Sequence, residues 1–148
     1  MQNDHAVHVL NSLIETTLDS ANGYRQAAEN VTDPALRSKF EQRAGRRAQL
    51  TSELQGEVRS FGGEPKTDQS MLGAMHNKFV DLKASVTKGS DKAVVDEVER
   101  GEDAIKAKFE KAARDDDLPI PVRELVQNAL GMIQADHDDI SRLKHQMH

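Results

Sequence analysis

Residues 91–114, DKAVVDEVERGEDAIKAKFEKAAR, place Val95, Val98, Ile105, Phe109 and Ala112 at steps of three and four, with Glu102 standing where the next aliphatic residue belongs. That period puts the set on one face of a helix. A carboxylate on a core-directed face needs a partner, which can be a metal ion, a cation or a proton. The stretch therefore sets an all-α expectation and asks what Glu102 meets.

The same period recurs on both sides. Asn3 or Asp4 can cap a first helix over about residues 4–29, with a seam of Val7, Leu10, Ile14, Thr17, Ala21, Tyr24 and Ala28. Thr32-Asp33-Pro34 supplies a cap and a proline for the first helical position, opening a second helix over about 34–61. Its seam is Leu36, Phe40, Ala44, Arg47, Leu50, Leu54, Val58 and Phe61, and Gly62-Gly63-Glu64-Pro65 stops it. A shorter amphipathic stretch over about 70–87 carries Leu72, Met75, Phe79, Leu82 and Val86, and Lys88-Gly89-Ser90 then breaks it and caps the helix at 91–114. Leu118-Pro119-Ile120-Pro121 leads into a last helix over about 120–147, with Val126, Ala129, Ile133, Asp136 or His137, Ile140, Leu143 and Met147 on its seam.

The four long helices run about 24 to 29 residues, or ~36–43 Å at ~1.5 Å per residue, a matched set for one bundle. Short links make each of the two pairs antiparallel. The segment between the second and third long helices has room for a helical crossover that returns along the bundle. One long crossover in a four-helix bundle is the ferritin-like arrangement, and it is expected here as one domain over residues 1–148. A single bent helix over about 70–114 would reach ~65 Å and find no neighbour of its length. A weak internal repeat agrees with two helical pairs: Tyr24-Arg25-Gln26-Ala27-Ala28 resembles Phe109-Glu110-Lys111-Ala112-Ala113, and Thr17 and Glu102 stand at matching distances before the aromatic residues. Arg37 with Arg123, and Gly45 with Gly131, extend it more faintly.

Composition excludes several classes. Hydrophobic residues make up 36% of the 148, and the aromatics are one Tyr and four Phe, which suits an aliphatic helical core better than a sheet. A formal charge of −5 opposes general attraction to nucleic acid or anionic membrane. The absence of cysteine removes disulfides, thiolate metal sites and cysteine catalysis. Met1-Gln2-Asn3-Asp4-His5 lacks a charged start followed by an apolar stretch, and no apolar run approaches the ~18 residues of a membrane span. A cytoplasmic protein is expected. Phosphate-binding glycine loops, nucleophile signatures and basic-aromatic nucleic-acid motifs are absent.

Five stretches resemble one family: Leu10-Asn11-Ser12-Leu13-Ile14-Glu15, Gly23-Tyr24-Arg25-Gln26-Ala27-Ala28-Glu29, Gly62-Gly63-Glu64-Pro65, Glu99-Arg100-Gly101-Glu102-Asp103 and His137-Asp138-Asp139-Ile140. They are similar in order and spacing to the PA2169 family of four-helix-bundle proteins, the bacterial DUF2383 group, which is ferritin-like. The resemblance runs from about residue 7 to about residue 144. It implies the fold and brings no established activity with it.

Ferritin-like di-iron centres take one Glu from each of two helices and Glu-x-x-His from the other two. Glu102 fits a lone-carboxylate position, but the first helix offers Thr17, the second Arg47-x-x-Leu50 and the last Gln134-x-x-His137. An arginine directed into such a site repels two metal ions and neutralises a carboxylate instead. A polar core layer of Thr17, Arg47, Glu102 and Asp136 or His137, with Tyr24 nearby, is therefore expected, and no cofactor. The alternative is a metal-binding redox or iron-handling protein holding iron or manganese on Glu102, His137 and Asp136. The favoured reading is non-catalytic, stress-associated, and acting as a homo-oligomer or on a protein partner through a surface such as Met71, Met75 and Phe79.

Simpler readings cover the rest. His5 with His8, and His145 with His148, have spacings that clasp metal adventitiously near the termini. Asp115-Asp116-Asp117 reads as a solvated helix end, and Arg37, Arg43 and Arg46 as a solvated basic stripe beside Glu41 and Glu53.

Overall fold

The computed structural model describes residues 2–67 and 90–147. They form α1 (Gln2–Asn30), α2 (Pro34–Ser60), α3 (Asp91–Ala113) and α4 (Ile120–Gln146). The crossover helix expected over 70–87, with Met71, Met75 and Phe79, lies outside the described residues.

The helix ends follow local chemistry. α1 begins at Gln2, so Asn3 and Asp4 do not cap it; they occupy its first turn, where the Asp4 carboxylate suits the positive end of the helix dipole. At the other end Arg37 of α2 donates to the carbonyls of Ala28 (3.2 Å) and Val31 (2.9 Å), covering acceptors that a helix terminus leaves open. Arg37 is thus a clamp on α1 rather than part of a solvated stripe. Asp33 caps α2 by accepting from the Ala35 N–H at 2.8 Å, ahead of Pro34. α2 stops in a Schellman turn: Gly62 takes φ +78°, its N–H donates to Arg59, and the Gly63 N–H donates to Val58. Ser90 caps α3 through the Ala93 N–H, which makes α3 a helix with its own start.

Contacts between ends give the directions. His5 meets Asp115, and Thr32 meets Asp91, so α1 and α3 are antiparallel. Arg47 meets Asp136 while Lys39 meets Asp139, so α2 and α4 are antiparallel as well. With α1 antiparallel to α2 across their short turn, α2 and α3 run the same way. The end of α2 and the start of α3 therefore lie at opposite ends of the bundle, which is the ferritin-like arrangement.

One apolar core joins all four helices, with Leu10, Ile14, Phe40, Leu54, Val98, Ile105, Phe109, Val126, Ile133 and Ile140 excluded from solvent. α1 packs closely on α2, α3 on α4, and α1 on α3. Between α2 and α4 the backbones stand further apart, and long cationic side chains of α2 reach across to carboxylates of α4. Among the described residues no helix is long and apolar enough to cross a membrane.

Candidate functional site: a charged layer in the bundle core

Halfway along the bundle the apolar core is interrupted. Arg47, at mid-α2, has no exposed surface, and neither does Glu102 at mid-α3. Arg47 Nη1 donates to Glu102 Oε1 at 2.7 Å and Nη2 to Oε2 at 2.9 Å. The same fork reaches Ser20 Oγ of α1 at 2.8 Å and Asp136 Oδ2 of α4 at 3.0 Å. All four donors on the terminal nitrogens are therefore engaged, with one bond each to α1 and α4 and two to α3. The guanidinium carbon also lies 5.3 Å from the centroid of the Tyr24 ring, in range for a cation–π contact, and Tyr24 packs on Phe40 at 5.8 Å.

A second tier sits one turn away. Thr51 Oγ1 donates to Thr17 Oγ1 at 2.7 Å, Thr17 donates on to the Ile14 carbonyl at 3.1 Å, and Thr51 lies 2.9 Å from the Arg47 carbonyl. Thr17 therefore belongs to the hydroxyl tier and does not touch the guanidinium directly.

Towards the α2–α4 face the network continues through Arg43. This residue is buried, joins Asp139 through Nη2, and brings Nε to 3.5 Å from Asp136 Oδ1. Arg46, partly exposed, donates to Asp136 Oδ1 at 3.1 Å, and Lys39 to Asp139 at 2.9 Å. Arg43 and Arg46 are thus cross-helix partners, not an intrahelical stripe paired with Glu41 and Glu53. Among the described residues the buried charges are Arg43, Arg47, Glu102 and Asp136, two of each sign.

The electrostatics agree with fixed charges. Burial alone would lower the pKa of Arg47, but Glu102, by charge and hydrogen bond, outweighs it and holds the guanidinium above its usual value. Burial pushes the Tyr24 phenol well up, Glu102 adds to this, and Arg47 opposes it, so the ring stays neutral. Asp139 is held below the usual carboxylate range because Lys39 and Arg43 overcome its desolvation.

His137 is not in this layer. Its Nε2 lies 2.5 Å from Asp103 Oδ1 and its Nδ1 3.3 Å from Asp138 Oδ1, both exposed carboxylates on the outer edge of α3 and α4. The pattern left Asp136 and His137 as alternatives; the helix turns Asp136 inward and His137 outward. Gln134 likewise faces outward and donates to Asp138 at 2.9 Å. Glu102 and Asp136 are thus joined by Arg47, and the imidazole expected beside them for a metal is elsewhere.

Ser20, Thr51, Arg43 and Asp139 complete the layer without having been expected in it. Each lies three or four residues from an expected member on the same helix: Thr17, Arg47, Arg47 and Asp136. Extending each polar seam position by one turn finds all of them.

A di-iron centre does not fit this donor set. Both Glu102 oxygens and one Asp136 oxygen accept from a guanidinium that fills the space between them, and among the described residues the buried charges already balance. Two divalent ions would add positive charge to a neutral, cation-filled site.

Comparison with known proteins supports this architecture. A solved structure of a Mycobacterium smegmatis Dps1 mutant superposes with a TM-score of 0.82 over 97% of each chain at 12% sequence identity, a likeness of fold alone. None of the curated proteins matches the chain. The model of the family described as a domain of unknown function, DUF2383, matches residues 5–115. The chain is a member of the DUF2383 family, built on a ferritin-like four-helix bundle.

Proposed function

We propose that this protein is a non-catalytic ferritin-like bundle in which an internal ion-pair layer takes the place of a metal centre. It acts through its outer surface, by self-association or on a protein partner. The observation that carries the reading is the Arg47 fork, which engages both oxygens of Glu102 and one of Asp136 in a space closed to solvent. A guanidinium in that position fixes the register of all four helices through directional bonds, a role for which buried charged networks are suited. The charge balance of the layer supports the same reading, as does the outward turn of His137 towards Asp103.

The alternative of a redox or iron-handling centre on Glu102, Asp136 and His137 would need Arg47 to leave and His137 to turn inward, breaking the bonds that each now makes. Oxygen consumption on adding Fe(II) to tag-free protein, with sedimentation velocity across a concentration series, tests the proposal. Iron is expected to oxidise at the buffer rate, and self-association to show as a sedimentation coefficient that rises with protein concentration without metal. Fast oxidation abolished by Glu102→Gln would sink the proposal.

A further inference from the structure

The fold brings together two short motifs that are far apart in sequence. His5, in the first turns of α1, and Asp115 and Asp117, in the turn after α3, gather at one end of the bundle. One ligand atom from each lies within 4.8 Å of the others. Among the described residues this is the group of three imidazole and carboxylate side chains so gathered. We infer that His5, Asp115 and Asp117 bind a divalent first-row transition metal ion.

The chemistry is a mixed donor set, one imidazole nitrogen and two carboxylate oxygens, which suits zinc, manganese or ferrous iron better than the all-oxygen preference of calcium. The geometry is close to what an ion requires. Metal–ligand distances of ~2.0–2.2 Å place neighbouring donors ~3.0–3.4 Å apart. His5 Nε2 and Asp115 Oδ2 stand at 2.7 Å and need only open by a few tenths of an ångström. Asp117 must close by side-chain rotation, which its exposure allows. The supporting bond is already made: the Asp117 N–H donates to Asp115 Oδ1 at 3.0 Å, so Asp115 presents its other oxygen to His5.

His8, one turn beyond His5, lines a groove of about 450 Å³ with His5 and Asp115, and stands where a second imidazole can approach. Lys108 and Lys111 line the same groove and lower the affinity by repulsion, although Lys108 is drawn aside to Ser12 Oγ at 3.4 Å. The remaining coordination positions open to water. Each motif alone reads as adventitious, a terminal histidine pair and a solvated acidic turn; only the antiparallel packing of α1 on α3 joins them. A bound ion would staple the start of α1 to the α3–α4 turn, so binding raises the melting temperature. This site is separate from the Arg47 layer and does not depend on it.

Calorimetric titration of Zn²⁺ and of Mn²⁺ into the full, tag-free chain tests the inference, with Co²⁺ absorption as a second readout of the donor set. One ion per chain is expected, with affinity falling at least tenfold in His5→Ala and in Asp115→Asn and unchanged in His145→Ala. The melting temperature should rise with metal concentration in the parent chain and stay fixed in Asp115→Asn. Absence of binding, binding that survives both variants, or binding lost in His145→Ala would each overturn it.

Discussion

Arg47 and Glu102 meet as a two-pronged fork, Nη1 to Oε1 at 2.7 Å and Nη2 to Oε2 at 2.9 Å, with neither side chain open to solvent. Removing the cation alone strands a buried carboxylate. Arg47→Ala should therefore cost about 3–5 kcal/mol of unfolding free energy. Replacing both partners by apolar residues of similar volume, Arg47→Met with Glu102→Leu, should recover most of that loss, because neither charge is then left unpaired. Urea unfolding of Arg47→Ala, of the singles Arg47→Met and Glu102→Leu, and of their double measures both the loss and its recovery. A loss within about 1 kcal/mol for Arg47→Ala would mean that the pair is solvated in solution.

Arg43 links Asp136 and Asp139 but is the sole partner of neither. After Arg43→Ala, Asp136 keeps Arg46 and Arg47, and Asp139 keeps Lys39. The expected cost is about 1–3 kcal/mol, the range for hydrogen bonds to charged groups, and smaller than that of Arg47→Ala. The ranking of the two variants by chemical denaturation is the check; equal losses would place the layer's weight at the α2–α4 face instead of at Glu102.

His137 gives the bundle a pH-dependent tie between α3 and α4. Burial alone would lower its pKa, but the hydrogen bonds to Asp103 and Asp138 prevail and hold it above the ordinary value of ~6.5. A pKa raised by folding contributes stability that is complete below the unfolded value and is lost as pH rises through the folded one. His137→Gln should thus destabilise more at about pH 6 than at about pH 9. In an NMR titration, Asp103→Asn should move the midpoint of the His137 ring down, and an unmoved midpoint would place the partner elsewhere.

Asp91 joins the start of α3 to the α1–α2 turn, accepting from the Thr32 N–H (2.8 Å), Thr32 Oγ1 (3.0 Å) and the Asp33 N–H (3.0 Å). Burial works to raise its pKa, but the two backbone bonds and the threonine hydroxyl lower it on balance. The sign is opposite to that of His137: the contribution is present above the unfolded value of ~3.9 and is lost as pH falls through the folded one. Asp91→Ala should cost about 1–2 kcal/mol at neutral pH, reduced by partial solvation, with Asp91→Asn between it and the parent. Thermal melts at neutral pH and near pH 3 read both, since the gap between parent and Asp91→Ala should narrow in acid.

The helical seams were legible because each is set by a local rule. Ser90 and Asp33 announce their helices, Gly62 ends one, and the apolar steps through Val95, Val98, Ile105 and Phe109 point one face inward. The central pair was legible for the same reason, since Arg47 and Glu102 interrupt otherwise aliphatic seams. What the pattern could not decide was rotation by one residue at Asp136 and His137, where either fits a step of three or four. Packing decides it: Asp136 meets three arginines of α2, while His137 meets Asp103. Arg43 reads as solvated in the sequence because periodicity within a helix does not show how far apart two neighbouring helices stand. The wider α2–α4 spacing turns an apparently solvated arginine into a buried bridge.

Whether the core layer is held by Arg47 or by metal is read by anomalous diffraction at the iron and manganese edges, from crystals of the tag-free chain grown with Fe(II) or Mn(II) under anaerobic conditions. No anomalous peak is expected between Glu102 and Asp136, where the Arg47 guanidinium holds both carboxylates. A peak bonded to those carboxylates, with Arg47 swung out of the core, would contradict it.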